Sequence, residues 1–300
     1  ELMAMKNDTY VARSPWGSVS AMLKRRIVGW VVSTQSRHRL SRFVVLPGDV
    51  VSDEIIATGL YEETVLAALF ESFLVPRLPD FREGVAVDVG ANIGNHSLFL
   101  QRYFASVVAF EPNPDAVALL RCNVALSAVG SIEVIPFGLG DREATLEFHQ
   151  EEQGNLGGSG FGFAGVVGGK HRECRICRGD DILTTTLLHG RKISLIKLDV
   201  EGAEFAALQG LTRVLREHRP LILFELHRAG GDSGGRAIFS LLRDLGYGSF
   251  FALDEAAALR PGRWRKLAYR LLFGERVVFL QLDTPLDRFY QLIAALPSDL

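Results

Sequence analysis

The stretch Val85 to Gly94, reading Val-Ala-Val-Asp-Val-Gly-Ala-Asn-Ile-Gly, constrains this chain more than any other. A run of small, mostly β-branched residues after the charged Arg82 and Glu83 suits a central parallel strand covered on both faces. Gly90 and Gly94 then let the backbone turn tightly into a helix beginning near Asn95. A strand, a glycine turn and a helix in that order form a cradle for a ligand.

What the cradle holds depends on Asp88. In a dinucleotide-binding G-x-G-x-x-G turn a glycine occupies the strand end, so that the helix N-terminus meets a pyrophosphate. Here Asp88 occupies it, in the pattern Asp-x-Gly-x-x-x-Gly. A carboxylate beside two phosphates is repelled, which argues against the rival reading of a nicotinamide-dependent oxidoreductase. The same carboxylate suits S-adenosylmethionine, which carries a sulfonium, an ammonium and ribose hydroxyls. An aspartate that only caps the next helix is the competing structural reading.

The rest of the chain is patterned for an α/β protein. Apolar periodicity places strands at 85–89, 107–111, 132–138, 193–199, 221–226, 249–253 and 277–282, with helices at 95–103, 114–126, 203–217 and 236–245 between them. Such alternation predicts a doubly wound, mostly parallel seven-stranded sheet, with an antiparallel hairpin and a helix over 286–295 at its end. Residues 81–300 form this domain, and 144–178 form an insertion: strands at 145–149 and 173–178 joined by the glycine-rich run 154–170, either a hairpin tip or a lid. Residues 1–80 read as an extension, with a strand or two over 43–51 and a helix over 61–73. Within the extension, Ser18 to Val32 predicts a short amphipathic helix lying on the core or on a partner, since one short stretch binds a membrane only marginally.

Composition excludes several classes. A net charge of -2 gives no global attraction to nucleic acid, and 48% hydrophobic residues with 23% charged ones do not describe a disordered chain. No apolar run approaches the ~20 residues that span a bilayer, and no signal-peptide pattern is present. Three cysteines are too few for a disulfide framework, which fits a reducing compartment and a cytoplasmic location. His171, Cys174 and Cys177 lack a fourth ligand, so no metal is expected.

Ligands of open α/β sheets sit outside the carboxyl ends of the strands, and several of these strands end in acids. Glu111 follows Gly90 by 21 positions, the spacing at which an acid reaches ribose hydroxyls, and Pro112 and Asn113 follow it. Gly138-Leu139-Gly140-Asp141 is a glycine turn whose acid could accept the adenine amino group or serve only the turn. Lys197 and Asp199 share a face of a strand predicted to be buried, where aliphatic side chains would be ordinary. Glu225 and His227 share a face at the end of the next strand.

Four blocks together resemble the FkbM-type family of S-adenosylmethionine-dependent methyltransferases: Val87 to Gly94; Phe110 to Pro114 with Asn123; Gly138 to Asp141; and Lys197 to Glu204. Gly59-Leu60-Tyr61-Glu62 resembles the family's lead-in, so the likeness covers roughly residues 55–285 and leaves the first 50 unexplained. It implies a class I, Rossmann-like methyltransferase fold and O-methylation of a sugar or another hydroxylated metabolite. The candidate cofactor residues are Asp88, Gly90, Asn92, Gly94, Glu111, Pro112, Asn113, Gly140, Asp141 and Asp199, with Asp199, His227, Lys197 and Glu201 as candidate catalytic residues. A small-molecule or glycan hydroxyl is the expected partner. A homo-oligomer through the N-terminal extension and a non-catalytic cofactor-fold module both stay open.

Overall fold

The computed structural model describes the chain apart from residues 1–14, 36–38, 40–41, 47, 128–129, 151–159, 162–169, 185–186, 227–232, 256–270, 273, 275, 286–288 and 299–300. Helices α1 (Pro15–Thr34), α2 (Val50–Thr58), α3 (Glu63–Ala68) and α4 (Leu78–Glu83) precede the sheet. Strands β1 (Val85–Val89), β2 (Ser106–Phe110) and β3 (Ser131–Ile135) open it. The chain then leaves through β4 (Gly138–Gly140), β5 (Ala144–Gln150), β6 (Gly160–Phe161) and β7 (Lys170–Arg178), which make a small sheet of their own. It returns with β8 (Ile193–Leu198), β9 (Leu221–Leu226), β10 (Tyr247–Glu255), β11 (Val277–Gln281) and β12 (Tyr290–Pro297). Further helices join these strands among the described residues: α5 (Asn95–Leu100), α6 (Pro114–Leu126), α7 (Gly179–Ile182), α8 (Glu204–Gly210), α9 (Thr212–His218) and α10 (Ser233–Asp244).

The main sheet has the order β11-β10-β12-β9-β8-β1-β2-β3. Its centre is parallel, because β1 pairs in that sense with β2 and β8, β2 with β3, and β8 with β9. The Val85–Val89 strand is buried along its whole length, as its β-branched composition predicts. Leu208, Val214 and Phe239 from α8, α9 and α10 cover one face. Val65, Phe81 and Phe99 from α3, α4 and α5 cover the other, so helices flank both faces of a sheet that is parallel at its centre.

Four expectations change. The helix predicted over 286–295 is a strand: β12 slots between β9 and β10, antiparallel to both, and raises the sheet from seven strands to eight among the described residues. Leu292 to Ala295 are buried consecutively, and a short unbroken apolar run fits a helix or a central strand equally well until two strand edges claim its backbone. The strand predicted over 43–51 is absent among the described residues. Asp49 caps α2 there by accepting the Ser52 N–H at 2.9 Å, and Gly59 closes that helix with φ +96°. The predicted helix over 203–217 divides at Leu211, where Gly210 lies so near the Gly140 carbonyl that an added Cβ would sit 1.9 Å from it. The strand predicted over 132–138 ends at Ile135 because Gly138 to Gly140 pair with β7 in the small sheet.

Candidate functional site

The glycine turn brings three strand ends together. Gly90 takes φ +82°, and a side chain there would meet the Asp199 carbonyl at 1.8 Å. Only glycine lets the end of β1 cross this close to the end of β8. The Asn92 backbone is left-handed (φ 49°), which turns its N–H onto Glu111 Oε2 at 2.8 Å. The Asn113 N–H donates to Oε1 of the same carboxylate at 2.8 Å, and Asn113 also caps α6 by accepting the Asp115 N–H. Burial pushes the Glu111 carboxyl up to about 7, against the pull of these two N–H groups. Beside it, Asn92 Oδ1 and Asn113 Nδ2 are buried polar atoms with no partner among the described residues. An acceptor and a donor left open around a carboxylate with lone pairs to spare fit a ribose and its attached base, so Asn92, Glu111 and Asn113 are the residues that could hold S-adenosylmethionine.

One register position away lies a charged layer. Asp88 on β1 stands beside Lys197 on β8. Lys197 Nζ donates to Asp199 Oδ2 at 3.0 Å and lies 3.6 Å from Asp88 Oδ1, while Ser97 donates its hydroxyl to Asp88 Oδ2 at 2.6 Å. Asp88 is wholly buried, with Lys197 and Ser97 as its neighbours. Burial alone would lower the Lys197 pKa, but the carboxylates of Asp199, Asp88 and Glu62 outweigh it and hold the ammonium well above its ordinary value. Asp199 keeps a side-chain exposure of 32%. Burial pushes its carboxyl up, Lys197 and His96 pull it further down, and the net result is a lowered pKa. Glu225 on β9 is the counterpart: burial, then the charge and hydrogen bond of Asp199, push it up to about 9, so it is protonated at neutral pH.

Glu62, His96 and Gln291, none of them among the candidates named from the sequence, lie next to this layer. Glu62 Oε2 lies 3.0 Å from His96 Nε2, and Gln291 of β12 donates to Glu62 Oε1 at 2.8 Å. Burial raises the Glu62 carboxyl, but His96 and Gln291 more than offset it and leave it below its ordinary value. Glu62 is left-handed (φ 57°), a conformation that a non-glycine residue adopts only when its surroundings impose it. Asn95 imposes it in part, clamping the Tyr61 backbone at both N–H (3.0 Å) and carbonyl (3.1 Å). The Tyr61 ring packs edge-on against His96, and burial together with Glu62 and Asp199 raises its hydroxyl pKa strongly. The clue available in the sequence was Glu62 within the lead-in block; nothing local pointed to Gln291.

The remaining candidates have neighbours of their own. Gly94 caps α5, where a Cβ would meet Leu120, and Pro112 offers its carbonyl to Cys174 Sγ at 3.1 Å. Gly140 is packed under Gly210, and Asp141 pairs with Arg142 at 3.1 Å in a partly exposed position. Glu201, left-handed at φ 50°, helps to raise Glu225, and Glu204 caps the same turn by accepting the Gly202 N–H. His227 and most of the glycine-rich run lie outside the described residues.

The sequence matches the methyltransferase FkbM domain over residues 88–248. It is 30% identical over 223 residues to methyltransferase sdnD of Sordaria araneosa, covering 65% of this chain and 83% of that one. Hexuronic acid methyltransferase AglP of Haloferax volcanii is 30% identical over 150 residues, covering 50% of this chain and 58% of that protein. The AMB antimetabolite synthetase AmbE of Pseudomonas aeruginosa is 26% identical over 308 aligned positions, covering 82% of this chain and 14% of that protein. The chain therefore spans only part of AglP and a small part of AmbE.

Proposed function

The chain belongs to the FkbM-domain methyltransferase family, and from that premise we propose that it is an S-adenosylmethionine-dependent O-methyltransferase acting on a hydroxyl of a sugar or a similarly hydroxylated small molecule. The observation that carries the cofactor is the pair of open polar atoms, Asn92 Oδ1 and Asn113 Nδ2, flanking the buried Glu111 carboxylate. Support for a sugar comes from AglP, whose name records a hexuronic acid.

When bound, S-adenosylmethionine supplies a methyl group made electrophilic by its sulfonium. The chain's own residues position the acceptor and take its proton. Asp199, the base expected from the sequence, is held ionised by Lys197 and so accepts a hydrogen bond well but a proton poorly. His96 is better suited to the proton: Glu62 fixes its Nε2, and its Nδ1 has no partner among the described residues. In this assignment Asp199 and the protonated Glu225 orient the hydroxyl, and His96 Nδ1 accepts its proton as the oxygen attacks.

The test is calorimetry with S-adenosylmethionine, S-adenosylhomocysteine and NADH, followed by transfer of labelled methyl into a panel of glycosides and uronic acids. Binding of the first two with an alkali-stable label in the product supports the reading. Binding of NADH alone, or bound cofactor whose methyl never leaves, replaces it with an oxidoreductase or a binding module respectively.

A further inference from the structure

Within the extension, α1 leaves nearly all of its described side chains exposed, whereas the stretch after it is fastened around the glycine turn by two buried asparagines. Asn123 of α6 accepts the Val44 N–H at 2.6 Å and donates to the carbonyls of Val44 at 3.1 Å and Ile93 at 2.8 Å. Asn95, the first residue of α5, grips Tyr61 in the same way, by both its N–H and its carbonyl. The next residue on each side then meets the other: His96 follows Asn95, Glu62 follows Tyr61, and both contacts span 34 positions. The Glu62 N–H is itself held by Glu54 Oε1 at 3.0 Å, so the left-handed backbone of Glu62 is pinned at that group and at the residue before it.

Adhesion of the extension does not need Asn95. Leu60, Leu66, Leu69 and Phe70 are already buried in the core on that side, and burial of apolar surface holds segments together without fixing their direction. Two hydrogen bonds to one residue's backbone do fix direction. We propose that Asn95 is the positioning residue of the Glu62–His96 pair: by gripping the Tyr61 backbone on both sides it turns Glu62 onto His96 Nε2 and keeps Nδ1 open to the acceptor. The inference rests on the reading of His96 as the base. Glu62 is ionised and its carboxylate only accepts, so Nε2 carries the hydrogen and Nδ1 presents its lone pair. Gln291 holds the other oxygen of that carboxylate but does not touch the backbone that aims it. A misplacement of about 1 Å costs a reacting group about 100-fold in rate, which is the scale on which such a grip matters.

The experiment reads the His96 imidazole by NMR of the whole chain carrying nitrogen-labelled histidine, the signal being identified by its absence from His96→Gln. An Nε2–H bonded to a buried carboxylate should give a downfield proton signal that exchanges slowly with water. Asn95→Ala should lose that signal and lower turnover by about 10- to 100-fold while keeping its affinity for S-adenosylmethionine. Asn95→Ser leaves room for a water between it and Tyr61, so it is the milder variant that carries the test if the alanine variant does not fold, and it should lose part of the signal. Asn123→Ala is the control: it breaks the same kind of double grip at Val44, away from Glu62, and should keep the signal whatever it does to stability. Adding Asn95→Ala to Glu62→Ala should lower turnover no further, because the asparagine acts through the carboxylate. Signal lost in Asn95→Ala with turnover unchanged would support the positioning and remove His96 as the base. No protected signal in the wild type, an undiminished one in both Asn95 variants, an equal loss in Asn123→Ala, or a double variant whose losses add would each overturn the proposal.

Discussion

Lys197→Met removes the cation that faces both Asp88 and Asp199 while keeping most of the volume of the side chain. At an effective dielectric constant of about 20, charges at these separations attract by about 5 kcal/mol per pair, part of which is offset by the desolvation of lysine. What remains in the variant is Asp88, wholly buried, with Ser97 on Oδ2 and nothing on Oδ1 among the described residues. Breaking a buried pair from one side costs about 3 to 5 kcal/mol, a large share of the 5 to 15 kcal/mol that holds a typical domain. The loss should be fully present at pH 7. The raised lysine pKa contributes stability below its unfolded value of about 10.4, lost only as the solution becomes strongly alkaline. The lowered Asp199 pKa contributes stability above about 3.9, lost only as the solution becomes acid. Urea unfolding at pH 7 is the assay, with Lys197→Met/Asp88→Asn as its partner variant. Removing both charges should recover at least half of the loss, because the wholly buried carboxylate is then gone and the one left without its lysine, Asp199, keeps 32% side-chain exposure. A Lys197→Met protein destabilised by less than about 1 kcal/mol would refute the claim that Lys197 neutralises this charged layer.

Three further outcomes follow from the same geometry. With the Glu111 pKa raised to about 7 and ribose hydroxyls donating to its ionised form, S-adenosylmethionine affinity measured by calorimetry should rise with pH through about 7. Glu111→Gln should bind at least tenfold more weakly and lose that dependence, the scale of one charge-assisted hydrogen bond. Because the Glu225 pKa is raised from 4.5 to about 9, the wild type loses stability relative to Glu225→Gln as pH rises between those values, and the difference should level off above pH 9; urea midpoints at three pH values check it. His96→Gln should leave cofactor affinity intact and lower turnover about 100-fold or more, abolishing the acid limb of the pH-rate profile, whereas Asp199→Asn should lower turnover with that limb retained; the reverse pattern returns the base to Asp199.

Residues whose placement follows from local periodicity are legible in the sequence alone. The β1 strand and its glycine turn, the acid ending β2, and the shared face of Lys197 and Asp199 need only the alternation of a strand and the conformational freedom of glycine, and they stand where the sequence places them. Tertiary structure decided what distance along the chain conceals. Glu62 meets His96 across 34 positions and Gln291 across 229, and no window of sequence holds both partners. Gln291 reaches Glu62 only because the last segment of the chain becomes a strand, and that outcome depends on the open edges of β9 and β10 competing for a run whose own pattern is neutral. The same holds for Asp88: its position in the motif is local, but whether it meets a ligand or Lys197 is set by the register of β1 against β8. Short-range patterns choose the elements, whereas the burial and pairing of charge are properties of the assembled sheet.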